Sequence, residues 1–385
     1  MERSEFVNLT KRLMAHVEAG TTDQADDVYR VSVDTYLDAD IWQHEMDEIF
    51  KKVPLLVGLS GELPGPGSYK SLTIVGVPVL VVRGQDSRVR AFLNVCRHRG
   101  AEVVPGGCGE ARRFTCPYHA WSYDTQGRLA GIYGKESFGD VDTDQLGLTE
   151  LGCDELAGMI FASLTPGIDV DAKEWLCGFD EVLAPFHMED WTLYSARELE
   201  GANWKVCYDG YLEGYHFASL HRDTIFKVTM SNTMTYDAYG PHQRVGFPKH
   251  GIETMRDRPE SEWADFDGIS LVCTLFPNIS FSFTNDSVSV SMLFPGPTPD
   301  RSLTRQCIYG RGAITSDDMR ERVGRRADFL SEVVRDEDYA TGLGIQRGLP
   351  TGANTEFVFG RNELGLHRFH ESVAVFSGGH EGRGR

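Results

Sequence analysis

The chain of 385 residues carries 41% hydrophobic and 25% charged residues, a composition that suits a soluble globular protein of roughly two or three domains with a sizeable core. Its formal net charge of −19 disfavours nucleic acid as a partner, and no apolar run approaches the roughly eighteen residues that a membrane helix needs. The first thirty residues carry Glu2, Glu5, Glu18, Asp23, Asp26 and Asp27 without an apolar stretch, so no signal peptide is expected and the expected compartment is the cytoplasm.

Three regions follow in chain order. Residues 1–51 are expected to be helical: Ile41, Trp42, Glu45, Met46, Ile49, Phe50 and Val53 recur at helical period, with Asp40 as cap. From 52 to 165 the texture turns to short β runs, such as 71–82 and 88–94, separated by Gly/Pro turns, which predicts a small all-β domain. Residues 166–385 form the third region. It opens with a linker and helix over 169–191 and closes with a pair of helices. Within it Ser287-Val288-Ser289-Val290-Ser291-Met292 alternates strictly, which predicts a half-buried antiparallel strand. Phe276, Phe281 and Phe283 fit core packing better than a cavity lining. Residues 378–385 read as a frayed tail.

The β region holds two Cys/His half-sites. Cys96-Arg97-His98 is followed, after seventeen residues, by Cys116-Pro117-Tyr118-His119. A Rieske centre needs two thiolates on one iron of a [2Fe–2S] cluster and two imidazoles on the other, and two side-by-side Cys/His loops supply that set. A zinc ribbon would more naturally repeat Cys-x₂-Cys or end in His-x₃₋₅-His, so zinc stands as the alternative metal. Gly100, Gly106 and Gly107 give the first loop freedom for tight turns, and Trp121 and Tyr123, at alternate positions, are placed to cover a cluster on one strand face. Cys108, Cys153, Cys177, Cys207, Cys273 and Cys307 show no disulfide-like framework and are expected to be free thiols.

A second constellation lies downstream. In Asp209-Gly210-Tyr211-Leu212-Glu213-Gly214-Tyr215-His216, followed by His221, a carboxylate precedes one histidine by three residues and a second histidine follows by five. At helical spacing Glu213 and His216 share a face, whereas His221 falls about 140° round from His216, so both imidazoles reach one metal only if the helix ends or bulges between them. Two histidines and a carboxylate with open positions make the facial triad of non-haem Fe(II) sites. Farther on, Arg335-Asp336-Glu337-Asp338-Tyr339 supplies an acidic run; read alone it is a solvated helix start with Asp336 as cap.

The two half-sites with their flanking Arg99-Gly100 and Ala120-Trp121, and the Glu213 to His221 segment, resemble the α (terminal oxygenase) subunit of the Rieske non-haem iron aromatic-ring-hydroxylating oxygenase family, over most of the chain. That resemblance implies an α+β fold: an N-terminal helical segment packing on the catalytic domain, a small all-β Rieske domain, and a helix-grip catalytic domain in which helices wrap an antiparallel sheet. It implies that Cys96, His98, Cys116 and His119 hold the [2Fe–2S] cluster and that His216 and His221 hold mononuclear Fe(II). The third ligand in the family is an aspartate of a C-terminal acidic motif, here Asp338, with Glu337 and Asp336 as the alternatives in register. Glu213 is implied to bridge, bonding His216 and, across a subunit boundary, the His119 of a neighbour in a homotrimer that in some members carries a separate β subunit. Two departures stand out: the family's frequent Glu-Asn pair is Asp209-Gly210 here, and the bridging position, often Asp, is Glu213, as in branches that oxidise quaternary amines.

No Gly-x-Gly-x-x-Gly follows a predicted strand, so electrons are expected from a ferredoxin or flavin reductase rather than from a bound nicotinamide. Between Arg88 and Lys135 eight basic residues face three acidic ones, a basic patch on an acidic chain that would steer an acidic donor. The expected activity is O₂-dependent hydroxylation of an aromatic or related small organic substrate, as in aromatic hydrocarbon breakdown. The alternatives are an oxidative demethylase or quaternary-amine monooxygenase of the same family, an electron-transfer Rieske protein without an active mononuclear site, and a ligand-binding protein.

Overall fold

Phe6, Leu9, Thr10, Leu13 and Met14 are buried along the helix Arg3–Ala19, and their spacing of three and four makes one apolar stripe. That stripe meets the strand His242–Pro248, where Leu9 lies so close to Gly246 that an added Cβ would sit 3.3 Å from it. Arg12 fixes the helix further through Asp237 at 2.8 Å. The periodic segment around Ile41 does form a helix, Ala39–Glu45, continued by a π-helical turn over Met46–Phe50. Its cap is Asp38 and not Asp40. Asp38 has the extended backbone of an N-cap, φ −70° and ψ 125°, and its side chain accepts the N–H groups of Asp40 and Ile41.

The computed structural model describes residues 1–312 and 315–378, so the expected frayed tail lies, past Gly378, outside the described residues. The chain divides into two units. One comprises Phe50–Trp175 with His187–Trp191; the other joins Met1–Ile49, Leu176–Phe186 and Thr192–Arg385.

The first unit is built on a five-stranded sheet in the order Glu150–Leu151, Val89–Leu93, Val77–Arg83, Ser68–Ile74, Gly107–Glu110, with two smaller three-stranded sheets. Its core of Leu80, Val82, Phe92, Val103 and Phe114 also encloses Cys96, Cys116, Trp121 and Tyr123.

The second unit holds a seven-stranded antiparallel sheet ordered Trp191–Gly201, Ser302–Arg311, Ser287–Pro295, Ile279–Phe283, Ile269–Leu275, His242–Pro248, Thr235–Tyr239. Residues directly opposite in an antiparallel pair share a face. Cys273, Phe281, Val290 and Cys307 form one such apolar row. The strand Ser287–Pro295 differs from the half-buried expectation, because its serines are buried as fully as its valines: Ser289 is 5% and Val290 1% exposed. The contiguous segments Asp317–Val333, Val334–Tyr339 (π-helical) and Ala340–Gly348 complete this unit's long helix, and Val323 and Ala327 pack on Ile308 of the sheet. Among the described residues no helix is long and apolar enough to cross a membrane.

A buried ion pair ties the N-terminal segment to this unit. Glu45 bonds the Lys205 ammonium, with side chains 2% and 1% exposed, and also accepts the Trp204 indole N–H at 2.9 Å. Removing one partner of such a pair strands a charge, whereas replacing both with apolar groups of similar volume is often neutral. Glu45→Ala is therefore expected to destabilise the protein by about 3–5 kcal/mol in urea unfolding, with most of the loss recovered in Glu45→Met/Lys205→Met.

Candidate functional site

The two Cys/His loops fold by the same hydrogen-bond rule. Cys96 N–H donates to Ala101 and the Cys96 carbonyl accepts from Gly100; Cys116 N–H donates to Trp121 and the Cys116 carbonyl accepts from Ala120. In each loop the fourth residue past the cysteine is left-handed, Gly100 at φ 77° and Ala120 at φ 57°. The repeat brings the His98 and His119 rings to 4.7 Å from one another and buries Cys96 and Cys116 in one cluster of side chains.

Trp121 stacks on His98 at 4.9 Å and an interplanar angle of 9°, as strand alternation predicts for a cover residue. His98 Nδ1 is buried without a hydrogen-bond partner, a lone pair kept free for a metal. Desolvation first, then the nearby His98 and Arg99, holds His119 below the ordinary imidazole range, which favours the neutral, metal-binding form. The donor set of two thiols and two imidazoles, with one nitrogen orphaned by burial, fits a Rieske cluster.

Tyr123 accepts the Arg97 N–H at 2.9 Å, which leaves its own hydroxyl hydrogen for Cys96 Sγ at 3.3 Å. A hydrogen bond to a cluster sulfur favours the reduced, more negative state. Tyr123→Phe should therefore lower the cluster's potential by about 20–65 mV, the one-electron equivalent of a ~0.5–1.5 kcal/mol hydrogen bond, measured by redox titration.

In the second unit the helix Trp204–Asp209 stops before the motif. Residues 210–224 run through turns, so Glu213 and His216 do not meet across a helix face as their spacing suggested. Instead the Glu213 side chain folds back on its own loop. One oxygen accepts from His216 Nδ1 and the other from the backbone N–H groups of Tyr215 and His216. Gly214 makes the turn possible, since a Cβ there would lie 2.6 Å from the Phe247 ring.

His221 is oriented by a residue far along the chain. Its Nδ1 meets Glu337, whose carboxylate also accepts from the Thr224 hydroxyl at 2.8 Å. With both Nδ1 atoms engaged, both Nε2 atoms turn toward Asp338 Oδ1, at 3.0 Å from His221 and 3.7 Å from His216. Among the described residues His216, His221 and Asp338 offer donor atoms that all lie within 4.8 Å of one another. Burial pushes His221 down, but the Asp338 and Glu337 carboxylates outweigh it and hold the imidazole above its usual range.

Of the three acidic candidates, Asp338 faces the histidines, Glu337 sits behind one of them, and Asp336 pairs outward with Arg335 at 2.6 Å. Asp209, four residues ahead of Glu213, accepts from Tyr36 and bonds His370, each at 2.9 Å. The role of Glu337 behind His221 is not legible in the sequence. Its one local signal is Thr224, three residues after His221.

A cavity of about 350 Å³ opens on this cluster, bounded by Phe217, Phe247, Phe329 and Val334 and by a row of serines. Phe283 lines it too, stacked on Phe186 at 4.0 Å, whereas Phe276 and Phe281 are packed in the core. The arrangement of two Nε2 atoms, one carboxylate oxygen and an adjoining cavity fits a divalent metal with open positions beside a bound small molecule.

Known proteins share this architecture. Residues 53–141 match the Rieske [2Fe-2S] domain, and residues 188–378 match the ring hydroxylating alpha subunit (catalytic domain). The glycine betaine monooxygenase oxygenase subunit of Pseudomonas aeruginosa is 34% identical over 194 residues, a stretch covering 49% of this chain and 44%, less than half, of that relative. The carnitine monooxygenase oxygenase subunit of Acinetobacter baumannii is 28% identical over 327 residues, covering 82% of this chain and 83% of the relative. Among solved structures, a quaternary ammonium Rieske monooxygenase superposes with a TM-score of 0.79 at 25% identity, over 91% of this chain and 96% of that one. Naphthalene 1,2-dioxygenase from Rhodococcus shares the fold at a TM-score of 0.73 and 18% identity, over 97% and 98% of the two chains.

Glu337→Gln should leave the fold intact but weaken iron binding by about 10–100-fold, the usual loss when a partner that orients a ligating histidine is changed. Iron titration with the cluster absorbance as internal standard measures it.

Proposed function

Because the chain belongs to the Rieske ring-hydroxylating oxygenase family, with a Rieske [2Fe–2S] domain followed by an α-subunit catalytic domain, we propose that it is the terminal oxygenase component of a multicomponent system. It takes electrons from a separate ferredoxin or flavin reductase and uses O₂ to hydroxylate a small organic substrate. The observation that carries this reading is the convergence of His216 Nε2, His221 Nε2 and Asp338 Oδ1 beside a cavity, in a chain that also holds two Cys/His loops.

Cys96, His98, Cys116 and His119 would hold the cluster, and His216, His221 and Asp338 the mononuclear iron. When bound, the iron supplies O₂ activation and the cluster supplies single electrons. Glu213 and Glu337 each hold a proton on Nδ1 of a histidine, which keeps Nε2 as the ligating atom. Phe217, Phe247 and Phe329 line the cavity and give it apolar walls that limit water there. Glu213 further serves as the electron-transfer bridge toward a neighbouring subunit's cluster in a homotrimer.

Oxidation of a quaternary amine is favoured over arene hydroxylation. The similarity to glycine betaine and carnitine monooxygenase subunits supports it, as does Glu213 at the bridging position. An aromatic-walled cavity is also the surface on which quaternary ammonium groups are commonly held.

Iron content tests the two-site reading. Three irons per chain are expected, and replacing His216, His221 or Asp338 with Ala should remove one iron and all substrate oxidation while leaving the cluster spectrum unchanged. Full iron and turnover in Asp338→Ala would remove Asp338 from the ligand set. Glu213→Gln should retain all three irons but slow cluster oxidation in single turnover by about 10–100-fold. Loss of the mononuclear iron in that variant would make Glu213 a ligand instead.

A further inference from the structure

Sheet interiors are ordinarily apolar, but the cavity wall of this one is not. Ser282 lies opposite Ser289, and Ser280 opposite Ser291, which in turn lies opposite Gln306, so that five polar side chains share one face of three adjacent strands. All five line the cavity. Gln306 Nε2 is buried there without a partner.

Arg326 projects onto the same face from the helix Asp317–Val333 and also lines the cavity. One of its terminal nitrogens donates to the Ser282 carbonyl at 3.0 Å and hydroxyl at 3.3 Å, whereas its Nε is buried with no acceptor. The acidic group that bears on it is Asp286, which is already paired with Arg322 at 3.1 Å. Burial pushes the Arg326 guanidinium down to about 10, so it stays charged at neutral pH, and Lys249 adds positive potential from the same wall. The polar groups left wanting on this wall are donors, and what they lack is an acceptor.

A buried guanidinium without a carboxylate is a costly arrangement unless a ligand completes it. Arginine presents its N–H groups as a planar fork that matches a carboxylate. Arg326 precedes Asp338 by twelve residues along contiguous helical segments, on the order of 18 Å of axial rise. The guanidinium and the candidate iron ligands therefore belong to different ends of one cavity.

We propose that Arg326 is the anion seat of this cavity and receives a carboxylate carried by the substrate at a distance from the oxidised carbon. This rests on the cavity being the substrate site of the oxygenase.

The test uses the iron-loaded protein and two acid–amide pairs, 4-(trimethylammonio)butyrate and benzoate, each against its own carboxamide. Isothermal titration calorimetry should give at least one acid a Kd roughly 10–100-fold below that of its amide. Arg326→Gln should bring the pair to within about threefold, Arg326→Lys should keep part of the preference, and the cluster spectrum should be unchanged in both. Should Arg326→Gln not fold, Arg326→Met carries the same expectation. No acid preference in the wild-type protein, or an undiminished one in Arg326→Gln, overturns the anion seat. Oxygen uptake and product formation are read separately. An acid preference without any oxidation would sink the oxygenase reading and leave the seat standing, and oxidation without acid preference would do the reverse.

Discussion

Two imidazoles converge on one carboxylate oxygen only if each is turned so that Nε2 leads, and a carboxylate placed on Nδ1 is what turns them. His216 obtains its carboxylate locally, from Glu213 three residues earlier; His221 obtains it from Glu337, over a hundred residues away in sequence. Consecutive side chains on a helix, α or π, diverge by roughly a quarter of a turn. Glu337 and Asp338 therefore form a wide fork, and the ring of His221 fits into it, Nδ1 against one carboxylate and Nε2 against the next. The π-helical turn over Val334–Tyr339 lies where this fork is needed, an irregularity that often marks functional positions in helices.

Both halves of this clamp constrain the fold around them. The helix Trp204–Asp209 has to end early, because continued helix would carry His221 away from His216. The helix beginning at Asp317 has to lie along the sheet so that its π-helical turn reaches the loop carrying His216 and His221, and Val323 and Ala327 packing on Ile308 hold it there. One face of the sheet is then free to be a cavity wall, while the row Cys273, Phe281, Val290 and Cys307 supplies apolar packing on the other.

What the sequence discloses follows from how local each feature is. The Cys/His half-sites are legible because each folds within six residues, by hydrogen bonds between a cysteine and residues four and five beyond it. The pairing of Glu213 with His216 follows from the spacing, but its geometry does not: the spacing suggests a helix, whereas a side chain folded over its own turn makes the contact. Asp338 could be singled out from two acidic neighbours only through family resemblance, since spacing does not encode a tertiary approach. The same limit hid Glu337. The capping error between Asp38 and Asp40 is of another kind, because two aspartates two residues apart are equivalent in pattern and only the backbone angles separate them. The serine strand departs from its pattern for a physical reason: alternation identifies two unlike faces but does not distinguish bulk water from an internal cavity, and here the polar face lines a cavity.

That internal polar face has a thermodynamic consequence. Hydroxyl and amide groups turned inward lose hydration, and donors such as Gln306 Nε2 gain no protein partner in return. A wall of valine or leucine would stabilise the unit more, so the serines and Arg326 are unfavourable for folding alone. The deficit is tolerable because it is confined to one cavity, while the surrounding apolar side chains are buried in the core. A ligand that supplies acceptors restores what the empty wall lacks, so its binding and the stability of the folded state rise together. The same unsatisfied donors that weaken the fold give the cavity its preference among ligands, since an unpaired buried donor rejects a partner without an acceptor more strongly than an apolar surface rejects a misfit.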